Sequence, residues 1–540
     1  MASVQRTMLG VASRSTQRLA MGTAFRNGVM PIQRRFASTT APAPRRSRLR
    51  LFGRVIGVGL LGGAGYTAYG LYVSRHPPMQ KPFDPTKKTI AVLGSGWAST
   101  SFLKSIDTSE YNVVVISPRN YFLFTPLLPS CTVGTVDVRS IVEPVRFISR
   151  HKEREVKVYE AECKSIDPVN KTLTFVDTSE IKSDEAEKTI PYDYLVLGCG
   201  SQNQTFGIKG VEEHACFLKE VWDAQKIRTR LMDCVETAAF VGQSDAKNEQ
   251  EIDRLLHMVV VGGGPTGVEY AAELYDFLKD DLTEWYPDIA GKIKITLVEA
   301  LPNVLPAFSK QLIDYTESTF KEQNIEILTK TMVKEVKDKE IIVQQPDGSM
   351  KSIPYGLLVW ATGNTSRPLI RDLMAKMPES QTMKRGLLVD DHLRLLGAED
   401  VYALGDATAT KYAPTAQVAA QQGKYLARVF NQQANRWKLE REYDALTAGS
   451  EKDRLARKIN KLRDVRPFHY SHQGSLAYIG SEKAIADLPF LHGNISAGGV
   501  ATYVFWRSAY LSNLFSIRNR ALVAMDWIKK NVFGRDISRE

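Results

Sequence analysis

The chain reads as an α/β protein carrying two dinucleotide-binding modules in tandem, and three observations predict this. A buried-strand run, Thr89-Ile90-Ala91-Val92-Leu93, opens directly onto Gly94-Ser95-Gly96-Trp97-Ala98-Ser99. The same device recurs where His257-Met258-Val259-Val260-Val261 meets Gly262-Gly263-Gly264-Pro265-Thr266-Gly267. Each copy also has a distal echo, an apolar strand that closes on glycine. One runs from Tyr192 to Gly200, 106 residues after Gly94, and the other from Tyr355 to Gly363, 101 after Gly262. Two Rossmann-type units of similar internal spacing are a much stronger signal than one glycine motif.

At 540 residues the chain is too long for a single core, which agrees with two or three domains. Its 43% hydrophobic and 24% charged residues are ordinary for a globular enzyme and exclude disorder, collagen and a disulfide scaffold. The net charge of +11 is unevenly placed. Residues 1–83 hold twelve Arg, one Lys and no acid, so they carry +13, while the rest holds 58 basic against 60 acidic side chains. A body of net −2 is no nucleic-acid binder.

Before the first module, residues 1–36 have the Arg-, Ser- and Ala-rich, acid-free composition of a mitochondrial transit peptide, with Arg34-Arg35-Phe36 resembling a cleavage site. A basic linker, 37–54, leads into 55–73, which holds 19 consecutive uncharged residues. At 1.5 Å per residue that is about 28 Å, enough for one transmembrane helix. Five Arg in the linker against Arg75 behind the span place the basic end in the matrix and the body in the intermembrane space. Residues 74–87 form a Pro-rich tether. Late in the chain, 431–464 contains fifteen charged side chains and reads as a solvated helical hairpin inserted near the end of the nucleotide domains. Five Cys show no metal or CxxC spacing, so no metal site is expected.

The chemistry follows from the glycine turns. The first glycine permits the turn, the second admits a pyrophosphate, and the third lets helix and strand pack closely. Gly262, Gly264 and Gly267 meet every position, with Thr266 in the turn and Gly363 at the echo. Glu299 ends the next strand, where a carboxylate accepts hydrogen bonds from an adenosine ribose and repels a 2′-phosphate, so NADH is favoured over NADPH. Its 32-residue separation from Gly267 is long, and the insert 283–288 accounts for the excess. The first module departs from the pattern: Ser99 replaces the third glycine, and its second strand ends in Ser117-Pro118-Arg119 without an acid. Near the end of the nucleotide region, Val401-Tyr402-Ala403-Leu404 closes on Gly405-Asp406, the position where two-dinucleotide flavoproteins hydrogen-bond the flavin ribitol.

Together Gly94-Ser95-Gly96-Trp97, the run from Ile116 to Pro129 and Ala416-Gln417-Val418-Ala419-Ala420-Gln421-Gln422-Gly423 resemble the mitochondrial type II (alternative, rotenone-insensitive) NADH:ubiquinone oxidoreductases, from about Lys88 to the C-terminus. In that family Ser-Pro-Arg stands where the ribose acid would be, and Ala98 is a local difference. The resemblance implies a two-dinucleotide-binding-domain flavoprotein in which NADH reduces non-covalent FAD and the flavin reduces ubiquinone without pumping protons. It assigns FAD to Gly94, Ser95, Gly96, Trp97, Ser117, Arg119, Thr125, Gly200 and Asp406, and NADH to Gly262, Gly264, Thr266, Gly267, Glu299 and Gly363. Gln417 and Gln421 would line the quinone end of the flavin, and Glu269 is the candidate polar group near the nicotinamide, either a proton relay or a structural ion pair.

The domains so expected are an FAD-binding part at 88–245, an NADH-binding domain at 246–364, a second FAD-binding part at 365–430, the insert, and a membrane-associating region at 465–540. The last carries Tyr503-Val504-Phe505-Trp506-Arg507, Tyr510-Leu511, Leu514-Phe515, then Trp527-Ile528 and Val532-Phe533 among basic residues. Such aromatics suit inner-membrane lipid, and packing on the core or a homodimer interface is the alternative. A disulfide reductase needs a redox-active cysteine pair in the flavin domain, and Cys131 is an isolated thiol, the only one near Gly94. A sulfide:quinone oxidoreductase needs cysteines late in the chain, where none follows Cys234. An apoptosis-factor-like NADH-dependent binding module remains the competitor from another class.

Overall fold

The computed structural model describes residues 62, 63, 65 and 68–539, apart from 182–184, 244–247, 448 and 491–492. The expected transit peptide and linker lie outside the described residues, as does most of the span at 55–73. Among the described residues no helix is long and apolar enough to cross a membrane. The chain divides into units at 1–65 and 66–540. Only Gly62, Gly63 and Gly65 of the first are described, all helical.

In the second unit, the first module is a seven-stranded sheet in the order Val401–Ala403, Tyr194–Leu197, Lys88–Leu93, Tyr111–Ser117, Val156–Asp167, Thr172–Asp177, Glu187–Pro191. The first five strands are parallel and the last two fold back antiparallel. Parallel strands covered on both faces read as unbroken apolar runs, which is why they stand out in the sequence. The second module is a parallel five-stranded sheet, Cys216–Phe217, Leu357–Trp360, His257–Val261, Lys294–Val298, Ile325–Leu328. A three-stranded antiparallel sheet, Met332–Val336, Glu340–Gln344 and Met350–Pro354, extends it. In the crossover, a π-helical turn at Leu278–Leu282 and short helices Thr283–Trp285 and Pro287–Ala290 supply the expected extra length before the strand that ends at Glu299.

The register explains the echoes. Leu93 pairs with Leu197 and Val261 with Trp360, so each glycine turn lies beside the glycine end of its echo. Gly94 has φ of 99° and Gly262 of 117°, and a Cβ on either would fall 2.5 Å from Gly198 O or 2.7 Å from Ala361 O. Only glycine fits both the left-handed backbone and that approach. Immediately after the echoes, Ser201–Asn203 and Asn364–Ser366 pair antiparallel and tie the modules together.

The helix Ala416–Ala445 runs unbroken through residue 430, so no structural break separates the second flavin part from the charged insert. It returns as the helix Ser450–Arg463, completing a hairpin. Its base is core: Phe430 meets the rings of Phe102, Tyr111, Tyr194 and Tyr402 at 5.1–5.8 Å between centroids. Gly423 lets it close on the helix Trp97–Ser105, because a Cβ there would lie 2.2 Å from Ala98 O.

The C-terminal region is an antiparallel sheet of Ser475–Tyr478, Ala484–Phe490 and Gly493–Gly499, followed by helices Val500–Asn513 and Ile517–Phe533. It is no separable appendage. Tyr503, Trp506, Leu514, Val523 and Trp527 join the core of the second module, so these members of the aromatic run face protein. Asn519 Nδ2 donates to Ser140 O and Val142 O, each at 2.9 Å. The buried Arg535 guanidinium donates to Asp281 Oδ2 at 2.7 Å and Thr135 Oγ1 at 2.9 Å. A buried cation persists only when paired in this way.

Candidate functional site

A cavity of about 990 Å³ opens between the two modules. All nine residues expected to hold FAD line it: Gly94, Ser95, Gly96, Trp97 and Ser117 on one side, with Arg119, Thr125, Gly200 and Asp406 around them. Of the residues expected to hold NADH, Thr266 and Gly363 line the same cavity, whereas Gly262, Gly264, Gly267 and Glu299 do not. Glu269, Gln417 and Gln421 also lie outside its lining.

The walls fit two dinucleotides. Gly96 and Gly264 are the N-caps of helices Trp97–Ser105 and Pro265–Phe277, neither N-cap has a side-chain cap, and a Cβ on either would meet no atom within 4 Å. Each helix therefore presents free amides and its positive dipole end to an open cradle, the arrangement a pyrophosphate requires. Gly267 serves packing instead: a Cβ there would sit 1.9 Å from Gly262 O. Ser99 performs that third role in the first module by bonding inward, its Oγ donating to Leu93 O at 3.1 Å.

Ser117 Oγ donates to Ser95 Oγ at 3.0 Å and accepts from the Arg119 amide at 3.2 Å, which shapes the strand end that lacks an acid. Arg119 is paired with Glu220. Trp97 Nε1 donates to Thr125 Oγ1 at 3.1 Å and so fixes the indole at the cavity wall. Asp406 Oδ2 accepts from Ser201 Oγ at 3.0 Å. At the second module Glu299 accepts from the Gly263 amide at 2.5 Å and the Leu301 amide at 2.6 Å, which holds its carboxylate beside the glycine turn.

Gln417 and Gln421 clasp the chain rather than line the cavity. Gln417 Nε2 donates to Gly474 O at 2.7 Å while its Oε1 accepts from Tyr470 OH at 3.0 Å. Gln421 exchanges two bonds with the Ser471 backbone at 2.7 and 2.9 Å. Glu269 is buried one helical turn beyond Thr266, where its Oε1 accepts from the Tyr478 amide at 3.2 Å. It has no cationic partner in the described contacts, and burial pushes its carboxyl up to about 8.

Lys219 escaped the sequence reading. Its ammonium donates to Ser201 Oγ at 3.0 Å and Asn364 Oδ1 at 2.6 Å, bridging the two modules at the cavity wall. Burial lowers its affinity for the proton and nearby Asp406 opposes that. The Glu220/Asp223 capping box marks the start of its neighbouring helix in the sequence, but nothing local shows what Lys219 faces.

Comparison with known proteins accords with this geometry. The profile of the pyridine nucleotide-disulphide oxidoreductase family matches residues 88–423, and that of the NDH2 C-terminal domain matches 472–536. The chain is 53% identical to the external alternative NADH-ubiquinone oxidoreductase of Yarrowia lipolytica, covering 92% of this chain and 89% of that protein. It is 46% identical to the external NADH-ubiquinone oxidoreductase 2 of Saccharomyces cerevisiae, over 88% of each chain. The structure of NDH2 from Plasmodium falciparum in complex with NADH superposes with a TM-score of 0.72 at 29% identity, covering 84% of this chain and 100% of that one. With its two-dinucleotide fold and its C-terminal domain both matched, the chain belongs to the mitochondrial alternative, or type II, NADH:ubiquinone oxidoreductases of the pyridine nucleotide-disulphide oxidoreductase superfamily.

Proposed function

We propose that this protein oxidises NADH with ubiquinone at the mitochondrial inner membrane. The observation that carries the reading is the pair of uncapped helix N-termini, at Gly96 and Gly264: Gly96 lines the inter-module cavity, and so does Thr266 in the first turn of the second helix. Bound FAD supplies the redox chemistry, accepting two electrons from NADH and delivering them to the quinone. The protein's part is orientation: Gly94–Trp97, Arg119 and Asp406 hold one dinucleotide, and Gly264, Thr266 and Glu299 hold the other. Lys219 and the strand pair keep the modules in register, while Gln417 and Gln421 fasten the segment 470–474 to the helix whose Ala416 and Ala419 wall the cavity. Such positioning alone accounts for a large share of the rate in a reaction that needs no nucleophile.

The thiols support the quinone over a sulfur substrate, because a reactive cysteine must ionise near neutrality. Burial raises Cys163 to about 12 and Cys234 to about 11, and raises Cys131, Cys199 and Cys216 as well. A steady-state assay decides the matter: NADH oxidation rises severalfold on adding ubiquinone, and failure to accelerate removes the reading in favour of a binding module.

Glu299 sets the nucleotide preference. Replacing it with Gln removes the charge that repels a 2′-phosphate, so kcat/KM for NADPH rises about tenfold, on the order of 1.4 kcal/mol, while that for NADH falls. Unchanged NADPH kinetics in the Glu299→Gln enzyme would count against the ribose role.

For membrane contact, the outward faces of the last two helices supply Val504, Phe505, Ile528, Val532 and Phe533, the last 82% exposed. Each such side chain contributes roughly 1.5–3 kcal/mol when removed from water. Gly70, which falls within the span read from the sequence, packs beside Ile517 of the tail helix. The linker arginines orient the body to the intermembrane space. Because these tail residues are outside the core, Ile528→Glu with Val532→Glu abolishes liposome sedimentation in a chain shortened by residues 1–66, yet leaves soluble-quinone reduction within twofold. Undiminished sedimentation, with loss of dimer instead, would assign the surface to a second copy.

A further inference from the structure

The reaction consumes a proton that NADH does not carry. NADH gives two electrons and one hydrogen nucleus, whereas quinol holds two, so NADH + H⁺ + quinone yields NAD⁺ + quinol. We infer that this proton enters through a second cavity and passes along one face of the helix Pro265–Phe277, from Glu273 to Glu269. The inference rests on the quinone reading above.

Glu269, Glu273 and Asp276 are spaced four and three apart, so they share that face, and their exposures are only 7%, 5% and 5%. Three buried acids on one helix face are costly, and packing alone does not require them. The second cavity, of about 510 Å³, is walled by Glu273 and Asp276 together with Thr135, Tyr478, Trp506 and Arg535. Tyr478 and Trp506 are also the neighbours of Glu269, so they form the partition between it and the cavity. The buried Trp506 indole stands close enough to Glu269 to favour its carboxylate, so the partition carries a polar donor on its Glu269 side.

Glu273 is held at the crossing. Its Oε1 accepts from Ser130 Oγ and its Oε2 from Thr135 Oγ1, both at 2.7 Å, and Arg535 Nη2 stands 4.0 Å away. Ser130 belongs to the helix Leu128–Cys131, whose Leu128 and Pro129 wall the main cavity. Glu269 in turn lies one turn from Thr266, which lines that same cavity. The carboxyl row thus begins at one cavity and ends against the other.

The groups around the row suit transfer. Cys131, Tyr478 and Tyr503 are all raised by burial and stay neutral. Asp276 is pinned by Tyr478 OH and by the Ser481 amide at 2.8 Å, so it anchors the partition. The same walls carry Lys279, Arg507 and Lys530 with Asp280, Asp281 and Glu482, keeping the cavity polar. In each turnover Glu269 gives its proton towards the quinone, Glu273 reprotonates it through bridging water, and the cavity resupplies Glu273.

The two half-reactions test this with the holoenzyme in stopped flow. In Glu273→Gln, bleaching of the flavin absorbance by NADH stays within twofold of the parent, because that step takes no proton from water. Reoxidation by a soluble ubiquinone analogue slows tenfold or more, its solvent deuterium isotope effect rises, and millimolar formate restores the rate. A second variant, Asn531→Trp, leaves every carboxyl in place and obstructs the mouth of the cavity from an exposed position. It slows reoxidation likewise at unchanged melting temperature. Parental reoxidation in both variants would overturn the path, as would equal slowing of both half-reactions without rescue by formate. If the parent itself is not reoxidised by quinone, the functional reading fails instead, and the two failures are distinct.

Discussion

Gly264→Val gives a folded, yellow enzyme that NADH no longer reduces, whereas Gly96→Val gives a folded, colourless one. Both glycines have ordinary negative φ, −74° and −80°, and a Cβ on either points into open space. Valine therefore adopts either position without strain, and as an N-cap it costs on the order of 1 kcal/mol. What it fills is the cradle. A pyrophosphate bound to free helix amides makes charge-assisted hydrogen bonds of about 1.5–3 kcal/mol each, so losing two weakens binding by roughly 100-fold or more. The paired result is diagnostic because the two turns separate the cofactors. Flavin absorbance per chain, melting temperature and the rate of bleaching by NADH are the three measurements. Parental bleaching in Gly264→Val would exclude this turn from NADH binding. Gly267→Ala is the contrasting control: its methyl group would fall 1.9 Å from Gly262 O, so it disrupts the fold itself.

Glu269→Gln separates quinone reduction from pH. Burial raises this carboxyl to about 8 from the ordinary 4.5, so it is a proton donor at neutral pH. In the parent, quinone-dependent reoxidation falls about tenfold per pH unit above pH 8, as the acid form is lost. In the variant the step is slower by about 10²-fold and that titration disappears, which is the usual range for one positioned acid. Stability moves in a defined direction too. Between pH 4.5 and 8 the folded chain keeps this proton while the unfolded chain releases it, so stability falls as pH rises through that window. Glu269→Gln removes that fall and melts higher than the parent at pH 8.5. Stopped-flow reoxidation and thermal melts across pH 5–9 check both statements. An unaltered pH profile would show that Glu269 serves only to hold the Tyr478 amide.

The distribution of expected site residues shows what each level of structure contributes. Gly94, Ser95, Gly96 and Trp97 were legible because a glycine turn is a local solution, with strand, turn and helix N-terminus contiguous. Ser117, Arg119, Gly200 and Asp406 reach the same cavity from the ends of parallel strands in one sheet, or from just beyond them. The echo strands were legible for a similar reason, since central parallel strands must be apolar throughout. Glu299 stood at a strand end whose position follows from the same unit, and the crossover insert that lengthened its spacing was visible beforehand.

Gln417 and Gln421 were legible as a motif but not as to use. Their partners at 470–474 lie some fifty residues on, past the whole charged hairpin, and only folding brings them together. Lys219 was missed because its partners Ser201, Asn364 and Asp406 come from three distant strand ends. The tail divides in the same way. Its amphipathic composition was clear, but which aromatics face protein depends on where the helices dock, and Tyr503, Trp506 and Trp527 turned inward.

By itself, then, the sequence determined the duplicated nucleotide-binding architecture, which rests on short-range rules of turn geometry and strand burial. The family and its chemistry were implied by the resemblance carried at 94–97, 116–129 and 416–423. The +13 arm likewise is a matter of composition. Only the tertiary structure decided which acids are buried, what clasps the glutamines, and that Glu273 and Asp276 wall a second cavity. Those properties depend on the dielectric and the neighbours at each side chain, and both are set by segments hundreds of residues apart.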